Sequence, residues 1–444
     1  MFCSGLTMPQ LLLLNPTLTL PIGPMIYGAI GIAFYLAWNL GANDVANSMG
    51  TSVGSKAISW RQALVIAGIF ELAGALLFGQ NVSARLITGV IDVGNFSARD
   101  FVSAMVAALL AAGVWMNGAT GLGLPVSSSH AIVGALAGVG LVAIGPGAVH
   151  WASLGGISLT WLGTPLVSAG IAWIVYRLLF LGFLQADREA DSTQIRLLEW
   201  VPWLSALIVV VFGSLVLPSV VDRVQSMVPL GLPNHTLALG LAASLAMGLM
   251  GWLLRRSPKP LASKTTIDTR AEAQFARFQL ISACFVAFAH GSNDVGNAIA
   301  PLAALVQWQS TGQLPTDDLV VPFWVLAIGG LGIVAGLAVW GERVIRTVGE
   351  GIMALQPSGG FAAELATAIT VLLASRLGLP VSTSHALVGA VVGVGLARSG
   401  VTRSGDSIQI STLKSILLTW IATIPLAAGL AGLMFWGLRE IMGA

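Results

Sequence analysis

Twenty residues from Leu122 to Leu141, LGLPVSSSHAIVGALAGVGL, return from Leu377 to Leu396 as LGLPVSTSHALVGAVVGVGL. The copies align without a gap and agree at 16 of 20 positions, differing only at Ser128/Thr383, Ile132/Leu387, Leu136/Val391 and Ala137/Val392. A duplication of this kind commits the chain to two related halves. Within each copy, Pro125 or Pro380 removes a backbone donor and turns the residue before it away from helical geometry, which predicts a break. Ser127, Ser128 and Ser129, with their partners Ser382, Thr383 and Ser384, are residue types that cap a restarting helix and offer hydroxyl and amide donors together. Such a helix start attracts an anion.

A second element is also used twice. GANDVANS, Gly41–Ser48, returns as GSNDVGNA, Gly291–Ala298. The separation between the two elements is held as well: 44 to 127 is 83 residues and 294 to 382 is 88. Each half therefore carries an ND element followed by a broken helix.

The medium around these elements is apolar, with 56% hydrophobic residues and only 9% charged, against about 25% charged in ordinary soluble proteins. A soluble globule is excluded. Apolar runs approaching the roughly 20 residues needed to cross a bilayer recur at Trp203 to Leu217, Leu237 to Leu254, Phe323 to Trp340 and Leu417 to Leu438. They predict an all-α polytopic membrane protein with about ten to twelve spanning segments, some discontinuous. The expected order is an N-terminal segment 1–24, a first transmembrane repeat 25–184, connecting transmembrane segments 185–254, a basic linker 255–278 and a second repeat 279–444. The linker holds Arg255, Arg256, Lys259, Lys264, Arg270 and Arg277, six of the 21 basic residues, and is placed in the cytoplasm by the positive-inside tendency. Gly41–Ser59 is expected to depart from ordinary helix, since such polar backbone survives at membrane depth only when buried in protein or facing a wet cavity. Gly341–Gly360 reads as a polar hinge, and the mixed charges from Asp187 to Glu199 as an interfacial connection.

The net charge of +2 says little about partners, and nothing points to nucleic acid. Cys3 and Cys284, far apart in sequence and without metal-ligand spacing, argue against a disulfide scaffold or a zinc site. No bound cofactor is expected. The N-terminus lacks a basic n-region, so no cleaved signal is expected.

Four acidic residues fall inside apolar segments: Asp44, Glu71, Asp294 and Glu364. An ionisable group there costs about 2.5–3.5 kcal/mol on insertion scales and is a functional candidate by default. Asn43, Asp44 and Asn47, with Asn293, Asp294 and Asn297, supply oxygen ligands suited to a hard cation. Asp44, Asn47, Glu71, Asp294, Asn297 and Glu364 form the expected cation set, one group per half. Donors after the prolines suit an oxyanion. A cation site and an anion site on interrupted helices of two repeats is the architecture of a secondary transporter. His130 and His385 close the SxSH elements as packing residues or as substrate or proton contacts. His290 has no counterpart, because the first half has Leu40 there, and carries less weight. Gly134/Gly138 and Gly389/Gly393 make GxxxG faces for close helix packing.

The repeated GxNDVxN, with LPVSSSHAIVGA and LPVSTSHALVGA, resembles the inorganic phosphate transporter (PiT) family across both halves. The resemblance implies an inverted-repeat symporter that imports phosphate with sodium or protons, as a homodimer in membrane lipid. It implies substrate roles for Asn43, Asp44, Ser127, Ser128, Ser129, Asn293, Asp294, Ser382, Thr383 and Ser384, and ion coupling at Glu71 and Glu364. The first half departs from the pattern in reading SSSH where many members have SGTH. The family also contains sulfate carriers.

Coupling has a physical reason. A divalent anion entering against 100 mV faces about 4.6 kcal/mol, which two co-transported cations would cancel. Asp44 could also accept a P–OH proton that sulfate lacks. A sulfate or proton-coupled carrier stays open. An anion channel would need rings of basic pore residues, and an intramembrane hydrolase would need an orienting partner for its histidine; neither is visible.

Overall fold

The computed structural model describes residues 24–179, 181, 190–227, 233–255, 267–315, 319–399 and 408–441. The N-terminal segment before residue 24 and residues 256–266 of the basic linker lie outside them. Twelve α-helices occur among the described residues: α1 Pro24–Gly54, α2 Trp60–Val90, α3 Ala98–Gly121, α4 Ser128–Ala143, α5 Trp151–Leu179, α6 Ala190–Met227, α7 Asn234–Arg255, α8 Ile267–Thr311, α9 Phe323–Gly351, α10 Pro357–Arg376, α11 Thr383–Ser399 and α12 Ile410–Ile441. Nine of these are long and apolar enough to cross a membrane; α8 and the shorter α4 and α11 are not among the nine. The chain is a multi-pass membrane protein.

Two compact units divide it. Among the described residues, one holds α6 packed on α7; the other holds α1 to α5 and α8 to α12, with both repeats. In the larger unit α1 to α5 match α8 to α12 in order. The packing obeys a twofold exchange: α4 lies on α12 as α11 lies on α5, and α3 touches α12 as α10 touches α5.

Glycine makes these contacts close. A Cβ on Gly134 or Gly138 of α4 would overlap the backbone of Ile424 or Ala428 on α12, and one on Gly389 or Gly393 of α11 would overlap Pro165 or Ala169 on α5. The GxxxG faces pack as small residues permit. The same repetition holds between α1 and α9 and between α2 and α8, where Gly41 meets the Ile333 backbone and Gly291 meets that of Glu71.

The breaks fall where proline requires them. The helix α3 ends with Gly123 at φ 68° and α10 with Gly378 at φ 67°, the left-handed geometry that closes a helix with paired backbone bonds. Those bonds are present: Leu124 N–H to the Ala119 carbonyl and Leu379 N–H to that of Ala374, both at 2.9 Å. Pro125 and Pro380 follow, and the chain restarts three residues later as α4 and α11.

Two expectations need correction. The ND elements sit inside continuous helices α1 and α8 rather than in irregular backbone. Their polar residues are tolerated because protein surrounds them on every side, with residues 39–52 and 286–306 all buried. The stretch Gly341–Gly360 is mostly helical too: α9 continues to Gly351, and only five residues separate it from α10.

Gly138→Val and Gly393→Val should each cost about 1–3 kcal/mol by overpacking. Gly156→Val, on an open face of α5, is the control; thermal unfolding in detergent would show the first two melting lower and the third near the parent.

Candidate functional site

The two broken-helix starts meet, and the ND elements face them from either side. Ser129 Oγ donates to the Val381 carbonyl at 2.8 Å, and Ser384 Oγ to that of Val126 at 3.4 Å. Asn47 Nδ2 donates to Asp44 Oδ1 within its half and to Ser384 Oγ across, at 2.9 and 2.8 Å. Asn297 repeats this, donating to Asp294 Oδ1 at 3.2 Å and to Ser128 and Ser129 across the halves at 3.2 and 3.0 Å. Thr383 Oγ1 donates to Asp294 Oδ2 at 2.8 Å.

Other members of the expected substrate set support the break. Asn43 Nδ2 donates to Thr120 Oγ1 and the Leu124 carbonyl, and Asn293 Nδ2 to Ser375 Oγ and the Leu379 carbonyl, all within 2.9–3.1 Å. Ser127 and Ser382 accept from the backbone N–H of His130 and His385, each at 3.3 Å. Their hydroxyls are helix caps. All ten residues of the substrate set are buried.

The two glutamates are not symmetry mates. The broken-helix blocks are 255 residues apart (377 minus 122), so Glu364 corresponds to Leu109. The matched contacts of Gly41 with Ile333 and Gly291 with Glu71 pair Glu71 with Ile333. The two glutamates stand one in each half without being equivalent positions of the repeat. Each glutamate has its own surroundings, polar where the other half is apolar. Glu71 Oε1 accepts from Ser48 at 2.9 Å and lies 3.0 Å from His290 Nδ1, while His290 Nε2 lies 3.0 Å from Asp294 Oδ2. Neither ring nitrogen is well aligned for a hydrogen bond, so the attraction there is mainly electrostatic. Glu364 accepts from Thr51 and Ser52 at 2.6 Å, Ser282 at 2.7 Å and Gln279 at 3.1 Å. At the corresponding positions, 250 residues away along the ND register, stand Ala298 for Ser48, Leu40 for His290, Pro301 for Thr51 and Leu302 for Ser52.

Ligand atoms of Asp44, His290 and Asp294 lie within 4.8 Å of one another, all buried. Asp44 Oδ2, Glu71 Oε2, Asn293 Oδ1 and Asn297 Oδ1 are buried without a donor. Oxygens lacking donors suit a hard cation. Glu364, whose carboxylate already accepts four hydrogen bonds, is less open to one. Sequence reasoning missed Ser48, Thr51, Ser52, Gln279 and Ser282 and underweighted His290. Their signal was available as departures from the repeat beside a buried carboxylate.

His130 and His385 stand apart from the carboxylates. Their rings meet edge to face with centroids 4.8 Å apart; Trp161 lies 4.0 Å from His130 and Trp420 lies 3.7 Å from His385. Each Nδ1 donates to the backbone of a tryptophan, His130 to Trp420 at 3.2 Å and His385 to Trp161 at 2.9 Å.

Residues 40–431 match the model of the phosphate transporter family. Inorganic phosphate transporter 2-1, chloroplastic, of Arabidopsis thaliana is 38% identical, over 99% of this chain and 76% of its own length. A solved structure described as the sodium-dependent phosphate transporter is 34% identical and superposes with a TM-score of 0.82, over 94% of this chain and 100% of that one. Matched from end to end in sequence and in fold, the chain belongs to the phosphate transporter family, a family of transporters rather than enzymes.

Proposed function

We propose that the protein imports inorganic phosphate in symport with sodium. One observation carries this reading: hydroxyl-bearing helix starts from both halves converge beside Asp44 and Asp294, and four buried oxygens there have no donor. The first N–H groups of α4 and α11 are donors for a phosphate, and the hydroxyls of Ser129, Thr383 and Ser384 join them by turning from the Val381 carbonyl, Asp294 and the Val126 carbonyl to which they now donate. The carboxylates oppose that anion strongly in a buried setting. Cations at Asp44, Asp294 and Glu71, helped by Asn47 and Asn297, would offset the repulsion, so the anion binds well only after its cations. Coupling then follows from electrostatics. The sodium-dependent transporter of similar fold supports sodium as the cation.

A second reading is proton coupling. The specific observation for it is His290, at 3.0 Å from both Glu71 and Asp294, a place where a proton could bind in exchange for a metal cation.

In proteoliposomes, Asp44→Asn and Asp294→Asn should each reduce sodium-driven phosphate uptake to background; uptake with unchanged sodium dependence would sink the symport assignment. Glu71→Gln should raise the half-saturating sodium concentration by roughly tenfold, the factor that about 1.4 kcal/mol controls, with the phosphate KM at saturating sodium little changed. Excess sulfate should leave uptake intact, because it lacks the P–OH donor that a carboxylate acceptor reads.

A further inference from the structure

Besides the unmatched glutamates, the two halves differ at one peptide. In the first half the N–H of the Pro125–Val126 peptide donates to Asn43 Oδ1 at 3.2 Å. In the second half the equivalent acceptor, Asn293 Oδ1, is buried without a donor. The carbonyl end shows the reverse. The Pro380 carbonyl accepts from Trp161 Nε1 at 2.9 Å, whereas Trp420 Nε1 is buried with no acceptor. Trp161 and Trp420 are equivalent: each opens a T-W-x-x-T stretch, Thr160–Thr164 and Thr419–Thr423. Each also accepts the Nδ1 bond of the histidine on the helix packed against it, His385 or His130. Their backbones are therefore matched, and the two tryptophans differ at the indole nitrogen, bonded in Trp161 and unpartnered in Trp420.

An indole N–H and an amide oxygen left unpartnered in a buried site are each costly, and a specific unpaired group calls for a reason. Here the two form a complementary set. The same peptide is held by its N–H end in one half and by its carbonyl end in the other. Sequences this similar can take either arrangement, and two repeats that move against each other provide two states in which to take them.

We propose that each Pro–Val peptide is a two-position latch. In one position the asparagine of its own half holds the N–H; in the other the tryptophan of the opposite half holds the carbonyl. The halves occupy opposite positions and exchange them during transport. Trp161 and Trp420 are thus positioning residues that aim the hydroxyl-bearing helix starts, one half at a time. The proposal rests on the transport reading for its two states, but not on the identity of the cation.

The test uses the full chain in lipid nanodiscs, with Trp161→Phe and Trp420→Phe, which keep an aromatic ring and remove the N–H. Hydrogen–deuterium exchange is followed in the segments 122–131 and 377–386. Trp161→Phe should move protection at the Asn contact from the first segment toward the second, changing the ratio of the two states roughly two- to tenfold, the factor one net hydrogen bond controls. Trp420→Phe should move it the other way, and the double variant should return toward the parent. Changes of the same sign in both variants, or none in proteins that remain folded, overturn the latch. Absent uptake with opposite exchange shifts would count against the transport reading and leave the latch standing.

Discussion

The structure depends on a polar contact made where the chain can least tolerate an unmatched one. Two helix starts, both forced by proline, meet in a buried site. Each is capped by its own serine, Ser127 or Ser382, and braced by the other half: Ser129 bonds the Val381 carbonyl and Ser384 that of Val126, while Asn47 and Asn297 reach across to the opposing hydroxyls. In lipid such starts need protein around them, because no water is present to take their free backbone groups. The duplication supplies part of that surrounding for each half. Close packing through glycine brings the helices near enough for these bonds to form, on α4 against α12 and on α11 against α5.

On this symmetric frame two asymmetric sites have been built. The helix starts and aspartates match between halves, as an anion held on a twofold axis would favour. The glutamates do not match. Glu71, with Ser48 and His290, and Glu364, with Thr51, Ser52, Gln279 and Ser282, each occupy ground that is apolar in the other half. A pair of identical carboxylate clusters would be the simplest arrangement, and the protein does not have it. Glu71 and Asp44 retain carboxylate oxygens without donors, while Glu364 is surrounded by donors. The two glutamates thus have distinct chemistry, one open to a cation and the other already compensated by hydroxyl and amide groups.

Much of this was legible in the chain. Proline at 125 and 380 marked the breaks, the serines marked the restarts, and the repeated ND element marked the carboxylates that the fold brings together. What escaped was decided by burial. Glycine, asparagine and serine in Gly41–Ser52 argue against helix in water or lipid, but every residue of that segment is buried in protein and the helix persists. His290 looked incidental because Leu40 stands opposite it in the repeat; that mismatch was the informative feature. The non-equivalence of Glu71 and Glu364 follows from the repeat offsets, whereas the donors around Glu364, which stands on α10, come from two other helices, α1 and α8, whose meeting no local pattern encodes.

The central claim is that buried carboxylates make the oxyanion site dependent on accompanying cations. It is tested most directly by radiolabelled phosphate uptake into proteoliposomes with sodium and proton gradients imposed separately. Concentrative uptake driven by an inward sodium gradient at equal pH on both sides is the predicted result. Phosphate accumulation that is indifferent to both gradients would contradict the account.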